Sequence, residues 1–156
     1  MKTIALIFMV LIAGCEYTPN NSNNPIEVTS DVPCITFAPI TLNQFTYAGE
    51  ASIYINSTGI GIRLDEVNAD VVTIHLKASP VALNGNLAPG QFPIHISNPT
   101  FPLQLNYTWA ELGLEPTNLV YVYLHFETAQ GTAWAGNYKR QGKGQWYYWN
   151  VVDDCK

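Results

Sequence analysis

The run Val120-Tyr121-Val122-Tyr123-Leu124-His125-Phe126-Glu127 decides the fold of this 156-residue chain. Val120, Val122, Leu124 and Phe126 occupy every second position. Tyr121, Tyr123, His125 and Glu127 fill the places between. A period of two belongs to a β-strand, whose successive side chains point to opposite faces. Working outward, the same alternation recurs. Val72, Ile74 and Leu76 share one face, with Thr73, His75 and Lys77 on the other. Phe92, Ile94 and Ile96 alternate with Pro93, His95 and Ser97. Ile53 and Ile55 lead into the turn Asn56-Ser57-Thr58-Gly59, and Ile60, Ile62 and Leu64 lead out of it, which predicts a hairpin. The closing run from Trp146 to Val152 is β-prone on both faces.

Pro80, Gly85, Pro89-Gly90, Pro99, Pro102, Pro116, Gly131, Gly142 and Gly144 punctuate these runs. Several short strands at such spacing predict an all-β domain over residues 34–156. The expected form is a single antiparallel β-sandwich, Ig-like or jelly-roll-like, with the aliphatic series on its inner faces. One helical turn is predicted at Thr108–Leu112, where Thr108 and Glu111 have capping-box spacing and Gly113 and Pro116 stop it early.

Ahead of the domain lie a short positive start at Met1-Lys2, an apolar run from Ile4 to Ile12, small residues at Ala13 and Gly14, and then Cys15. The run is too short to span a membrane as a mature helix. Ile12-Ala13-Gly14-Cys15 resembles the lipobox of bacterial lipoproteins. That resemblance implies a signal peptide over residues 1–14 and lipid attachment at Cys15. Each buried methylene of a lipid chain contributes about 0.8 kcal/mol, and more than one chain gives stable anchoring. Glu16 stands where an Asp favours inner-membrane retention in that family, so the resemblance implies the outer membrane. Residues 15–33, rich in Asn, Pro, Ser and Thr, read as the lipidated Cys and a flexible linker. Eighteen such residues have an end-to-end distance of roughly 25 Å. Cys34 and Cys155 remain as an even pair at the two ends of the domain, and an oxidising compartment favours a disulfide between them. A closed loop of about 120 residues gives a nominal stabilisation of roughly 4–5 kcal/mol.

Composition narrows the function classes. Twelve acidic residues against seven basic give a net charge of −5, which repels a phosphate backbone and excludes nucleic-acid binding through a basic patch. The chain has no Gly-x-Ser-x-Gly, His-Glu-x-x-His or phosphate loop, and no enzyme is expected. The carboxylate pairs Asp65-Glu66 and Asp153-Asp154 read as solvated strand ends rather than a hydrolase pair. His75, His95 and His125 show no His-x-His or His-x-x-x-His spacing, so no metal and no cofactor is expected. Four tryptophans and nine tyrosines are the more suggestive feature. Trp134, Trp146, Tyr148, Tyr121 and Tyr123 are the candidate ligand-binding residues, because an exposed aromatic face can stack on sugar rings or a protein partner.

Within the domain, Tyr47-Ala48-Gly49-Glu50-Ala51-Ser52-Ile53, Val72-Thr73-Ile74-His75-Leu76, the loop from Asn84 to Pro93, Val120-Tyr121-Val122-Tyr123-Leu124-His125 and Thr132-Ala133-Trp134-Ala135-Gly136-Asn137 follow one another in a recognisable order. Together they resemble a poorly characterised β-rich domain of bacterial secreted and cell-surface proteins. Thr73 and Gly131 stand where that family carries Glu, and Ile74 where it carries Thr, so a site built on those positions does not carry over. The resemblance implies a secreted β-domain and no particular activity. The expectation is a non-catalytic cell-envelope lipoprotein with an interaction or adhesion role, its partner a surface glycan or an envelope protein. The alternatives are a glycan-binding module using the aromatic residues, and a metal-dependent protein or enzyme using the histidines.

Overall fold

The computed structural model describes residues 34–85, 87–116, 120–139 and 147–150. Ten strands follow one another: β1 (Cys34–Leu42), β2 (Thr46–Asn56), β3 (Gly59–Val67), β4 (Val71–Ser79), β5 (Ile94–Ser97), β6 (Leu103–Thr108), β7 (Tyr121–Thr128), β8 (Gly131–Ala135), β9 (Tyr138–Lys139) and β10 (Tyr147–Asn150). A single 3-10 turn, Pro89–Gln91, stands between β4 and β5. Every described pairing is antiparallel, and one continuous hydrogen-bonded path runs β5-β4-β7-β8-β1-β2-β3-β6. The β2–β3 hairpin closes at the predicted turn, where Asn56 Oδ1 accepts from the backbone N–H groups of Thr58 and Gly59. Among the described residues, no helix is long and apolar enough to cross a membrane.

One face of this curled sheet makes the main core. Ile74 and Leu76 of β4, Val122, Leu124 and Phe126 of β7, Ala38 and Ile40 of β1, Ile53 of β2 and Ile62 and Leu64 of β3 all belong to one buried cluster. Apart from Ala38 and Ile40, these belong to the series that alternation picked out. Two expectations need correction. Val72 is 47% exposed, because the ladder shifts register between Val71 and Thr73 and turns Val71 toward the core instead. A bulge inserts one residue and so reverses which neighbour points inward. Phe92 is buried, but on the opposite face of the sheet, with Tyr123 and Trp134.

The segment Thr108–Leu112 makes one turn, as expected. Leu112 N–H donates to the Thr108 carbonyl, and the capping box is formed: Thr108 N–H donates to Glu111 Oε2, and Glu111 N–H to Thr108 Oγ1. The Thr108 N–H, and the Thr108 hydroxyl that also donates to Oε2, hold the Glu111 carboxyl below its ordinary range. Trp109 is tucked into the core with its indole N–H on the Ser57 carbonyl, which anchors the turn over the β2–β3 hairpin.

One edge of β7 pairs with β4 along its whole length. The other edge is shared. β8 takes Leu124 to Thr128, and β10 takes Tyr121 and Val122. The exchange of strands takes place at Gly136, whose φ is +153° and whose position leaves no room for a side chain: a Cβ there would stand 2.4 Å from the Tyr148 backbone. β10 runs antiparallel to β7, and therefore toward the Cys34 end of β1.

Candidate functional site

The second face of the sheet carries two regions of polar and aromatic side chains. The first is a row of imidazoles. Register places His95 of β5 opposite His75 of β4, His75 opposite His125 of β7, and His125 opposite Trp134 of β8. Four adjacent strands thus contribute one side chain each at the same level. Directly opposed residues have Cβ atoms about 5 Å apart, close enough for rings to touch. His75 Nδ1 and His95 Nδ1 lie 2.8 Å apart, with the rings nearly perpendicular. The His75 and His125 ring centres are 5.5 Å apart, and His125 meets the Trp134 indole edge-on at 4.6 Å.

Exposure varies along the row. His95 is exposed, whereas His75 and His125 are buried at 4% and 5%. Glu127 Oε1 stands 3.0 Å from His75 Nε2, near enough to pair charge. It lies off the N–H direction, and that nitrogen makes no aligned hydrogen bond. His125 Nδ1 is likewise buried without a partner. An orphaned buried polar atom costs about 1–3 kcal/mol. Burial drives His125 down from the ordinary imidazole range to about 4; the neighbouring His75 adds to the fall and Glu127 opposes it. His125 is therefore neutral at physiological pH.

The candidate aromatics flank this row, and the segment 80–92 covers part of them. Tyr123 and Trp134 are buried with Phe92, while Leu83 and Leu87 pack against them. Leu83 N–H donates to the Tyr123 hydroxyl at 2.8 Å. Burial raises the Tyr123 phenol above its usual value, against that hydrogen bond. Ser79 Oγ donates to the Val81 carbonyl and pins the start of the covering segment. Tyr121 and Tyr148 are half-buried, and Tyr148 stacks on Tyr123 and Tyr138 at 5.8 and 5.6 Å. Trp146 lies outside the described residues. Tyr123 and Trp134 are thus buried, among Phe92, Leu83, Leu87 and Tyr148.

The second region is a groove across β1, β2 and β3. Its volume is about 360 Å³, and Phe37, Tyr47, Glu50, Arg63, Asp65 and Glu66 are among its walls. Phe37 pairs with Ser52, and Ser52 with Arg63, so the groove runs over three strands. A register shift between Gly49 and Ala51 shapes its end. Gly49 has φ +136°, and a Cβ there would meet the Glu66 carbonyl at 2.5 Å, so only glycine allows β2 and β3 to close beneath the groove. Phe37 is 56% exposed and Tyr47 62%. Arg63 holds Asp65 through a contact of 2.6 Å between two exposed groups, a pair worth little to stability in water. Glu50 and Glu66 remain as open carboxylate acceptors in the same walls.

Phe37, Tyr47 and the groove were not among the sequence candidates. The signal available was β1 itself, where Ile35 and Phe37 alternate with Thr36, Ala38 and Ile40 and can only face outward. The convergence of the histidines had no local signal, since strand order brings them together. Asp65-Glu66 is a solvated strand end as expected, although it also walls the groove. Among the described residues, no three His, Cys, Asp or Glu side chains form a closed metal-holding group. No family model, no curated protein and no solved structure matches this chain.

Proposed function

We propose that this chain is a non-catalytic cell-envelope lipoprotein whose β-domain binds a partner through the outer face of β1–β3. The observation that carries the reading is the joint exposure of Ile35, Phe37 and Tyr47 on that face, beside the groove. Large apolar side chains gathered on one exposed surface mark interaction sites. Residues 1–33 and 155 lie outside the described residues, and the address rests on the lipobox-like Ile12-Ala13-Gly14-Cys15. In this reading Cys15 carries lipid, residues 16–33 tether the domain to the outer membrane, and the domain belongs with secreted β-domains. β1 opens at Cys34, where the linker ends. A Cys34–Cys155 disulfide fits the direction of β10, which heads toward the Cys34 end of β1. A sandwich, Ig-like or jelly-roll-like, fits a curled sheet whose β4 and β7 share one core with β2 and β3.

Photoreactive phenylalanine analogues at positions 37 and 47 test the binding face in intact cells. Covalent adducts are expected at both, and none from the same group at Val81, which is 63% exposed elsewhere. Equal adducts at all three positions, or none at any, overturn the reading. The anchor has its own test. Cys15→Ser is expected to move the chain from the membrane fraction to the soluble fraction, and retention on membranes would refute lipid attachment there.

A glycan is the second reading, favoured by two exposed rings beside carboxylates and an arginine in one groove. Rings stack on sugar faces, and carboxylates accept from sugar hydroxyls. On a glycan array, Phe37→Ala or Tyr47→Ala then lowers binding at least about tenfold. Thermal stability is expected to hold, since exposed side chains contribute little to folding.

A further inference from the structure

We propose that His75 and His95 form an open two-imidazole site for a late divalent transition-metal ion, Cu(II) or Ni(II), backed by the Glu127 carboxylate. The inference is independent of the β1–β3 binding face, which lies several strands away along the sheet.

Metal–nitrogen bonds are about 2.0 Å long. Two cis ligands at a right angle then place their nitrogens about 2.8 Å apart, and two tetrahedral ligands about 3.3 Å apart. His75 Nδ1 and His95 Nδ1 stand 2.8 Å apart. The two nitrogens are within reach of either geometry once His95 turns, and the preference for Cu(II) rests on the general affinity order of nitrogen ligands. A hydrogen bond joins the two nitrogens in the metal-free protein; when a metal ion binds beside the line between them, the bridging proton passes through solvent to His95 Nε2, and His95 turns to aim its freed Nδ1 lone pair. His95 is exposed on the short strand β5, so this rotation disturbs no core packing.

His75 is 4% exposed, and its far nitrogen, Nε2, is buried without an aligned hydrogen bond although Glu127 Oε1 is 3.0 Å away. A ligating imidazole uses one nitrogen on the metal and turns its other N–H toward a carboxylate, which orients the ring and raises its basicity. His75 has the parts of that arrangement: Nδ1 faces His95, and Glu127 Oε1 stands 3.0 Å from Nε2, where a turn of the exposed carboxylate brings the pair into line. A cation on Nδ1 polarises the Nε2–H and strengthens its attraction to Glu127. With two protein ligands, water completes the coordination shell.

The test uses the full chain in detergent, stripped with chelator and titrated with CuCl₂, NiCl₂ or ZnCl₂ alone. Calorimetry is expected to show one equivalent bound, tightest for Cu(II), with Ni(II) ahead of Zn(II). The Cu(II) electron paramagnetic resonance spectrum is expected to show two imidazole nitrogens. His95→Ala should keep the metal-free melting temperature and lose at least about 100-fold in affinity. Glu127→Gln should lose about 10–100-fold, as carboxylates behind a ligating histidine do. Parent-like affinity in His95→Ala, or a spectrum without two imidazole nitrogens, overturns the site and leaves the pair as a hydrogen bond only.

Discussion

Trp134→Ala is expected to destabilise the domain by about 3–5 kcal/mol, the range for removing a buried indole. Trp134 is 8% exposed and lies against His125 and Phe92. Its loss opens a cavity beneath the 80–92 segment and lets water reach His125. Two readouts follow. Urea unfolding at pH 7 should show the lower stability. NMR titration should show the His125 imidazole rising from about 4 toward its ordinary 6.5, because burial is the main cause of its depression. A variant with unchanged stability, or with His125 still near 4, would mean that the indole is not what shields it.

Acid should weaken the fold through His125 itself. In the folded protein this imidazole takes a proton only near pH 4, against an ordinary value of 6.5. Between these values the unfolded chain binds the extra proton, so stability falls as pH falls. The contribution is fully present above about pH 6.5 and lost below about pH 4. It amounts to about 3 kcal/mol, from a shift of roughly two and a half units at 1.36 kcal/mol each. The groups facing His125 are His75, Glu127 and Trp134. His125→Leu removes the titrating group and its orphaned nitrogen while nearly preserving volume. Chelated protein should then lose less stability than the parent between pH 7 and pH 4, the difference being about 3 kcal/mol, or roughly 10 °C in Tm. Parallel pH profiles for the two proteins would refute this role.

Both predictions concern residues whose local character was legible and whose surroundings were not. Trp134 stood out as an aromatic candidate, yet its exposure depended on the 80–92 segment, which packs Leu83, Leu87 and Phe92 across that face. His75, His95 and His125 were each assigned to the face away from the aliphatic series, and that assignment holds for all three. Their meeting depends on β4 lying between β5 and β7 with no register slip at this level. The capping box at Thr108 and Glu111 was legible because its partners are three residues apart.

Sequence alone determined that this chain is built of strands, where most of them turn and which series of side chains faces the core. Alternation and turn chemistry are local, and a two-residue period leaves only one face for Ile74, Leu76, Leu124 and Phe126 to bury. Tertiary structure alone decided the strand order β5-β4-β7-β8-β1-β2-β3-β6, the bulge that turned Val72 outward, and the glycine-closed groove beside Phe37 and Tyr47. It also drew three histidines into one row. Register is set by the summed packing of a whole sheet, and a shift of one residue in any strand would send its side chains to the other face.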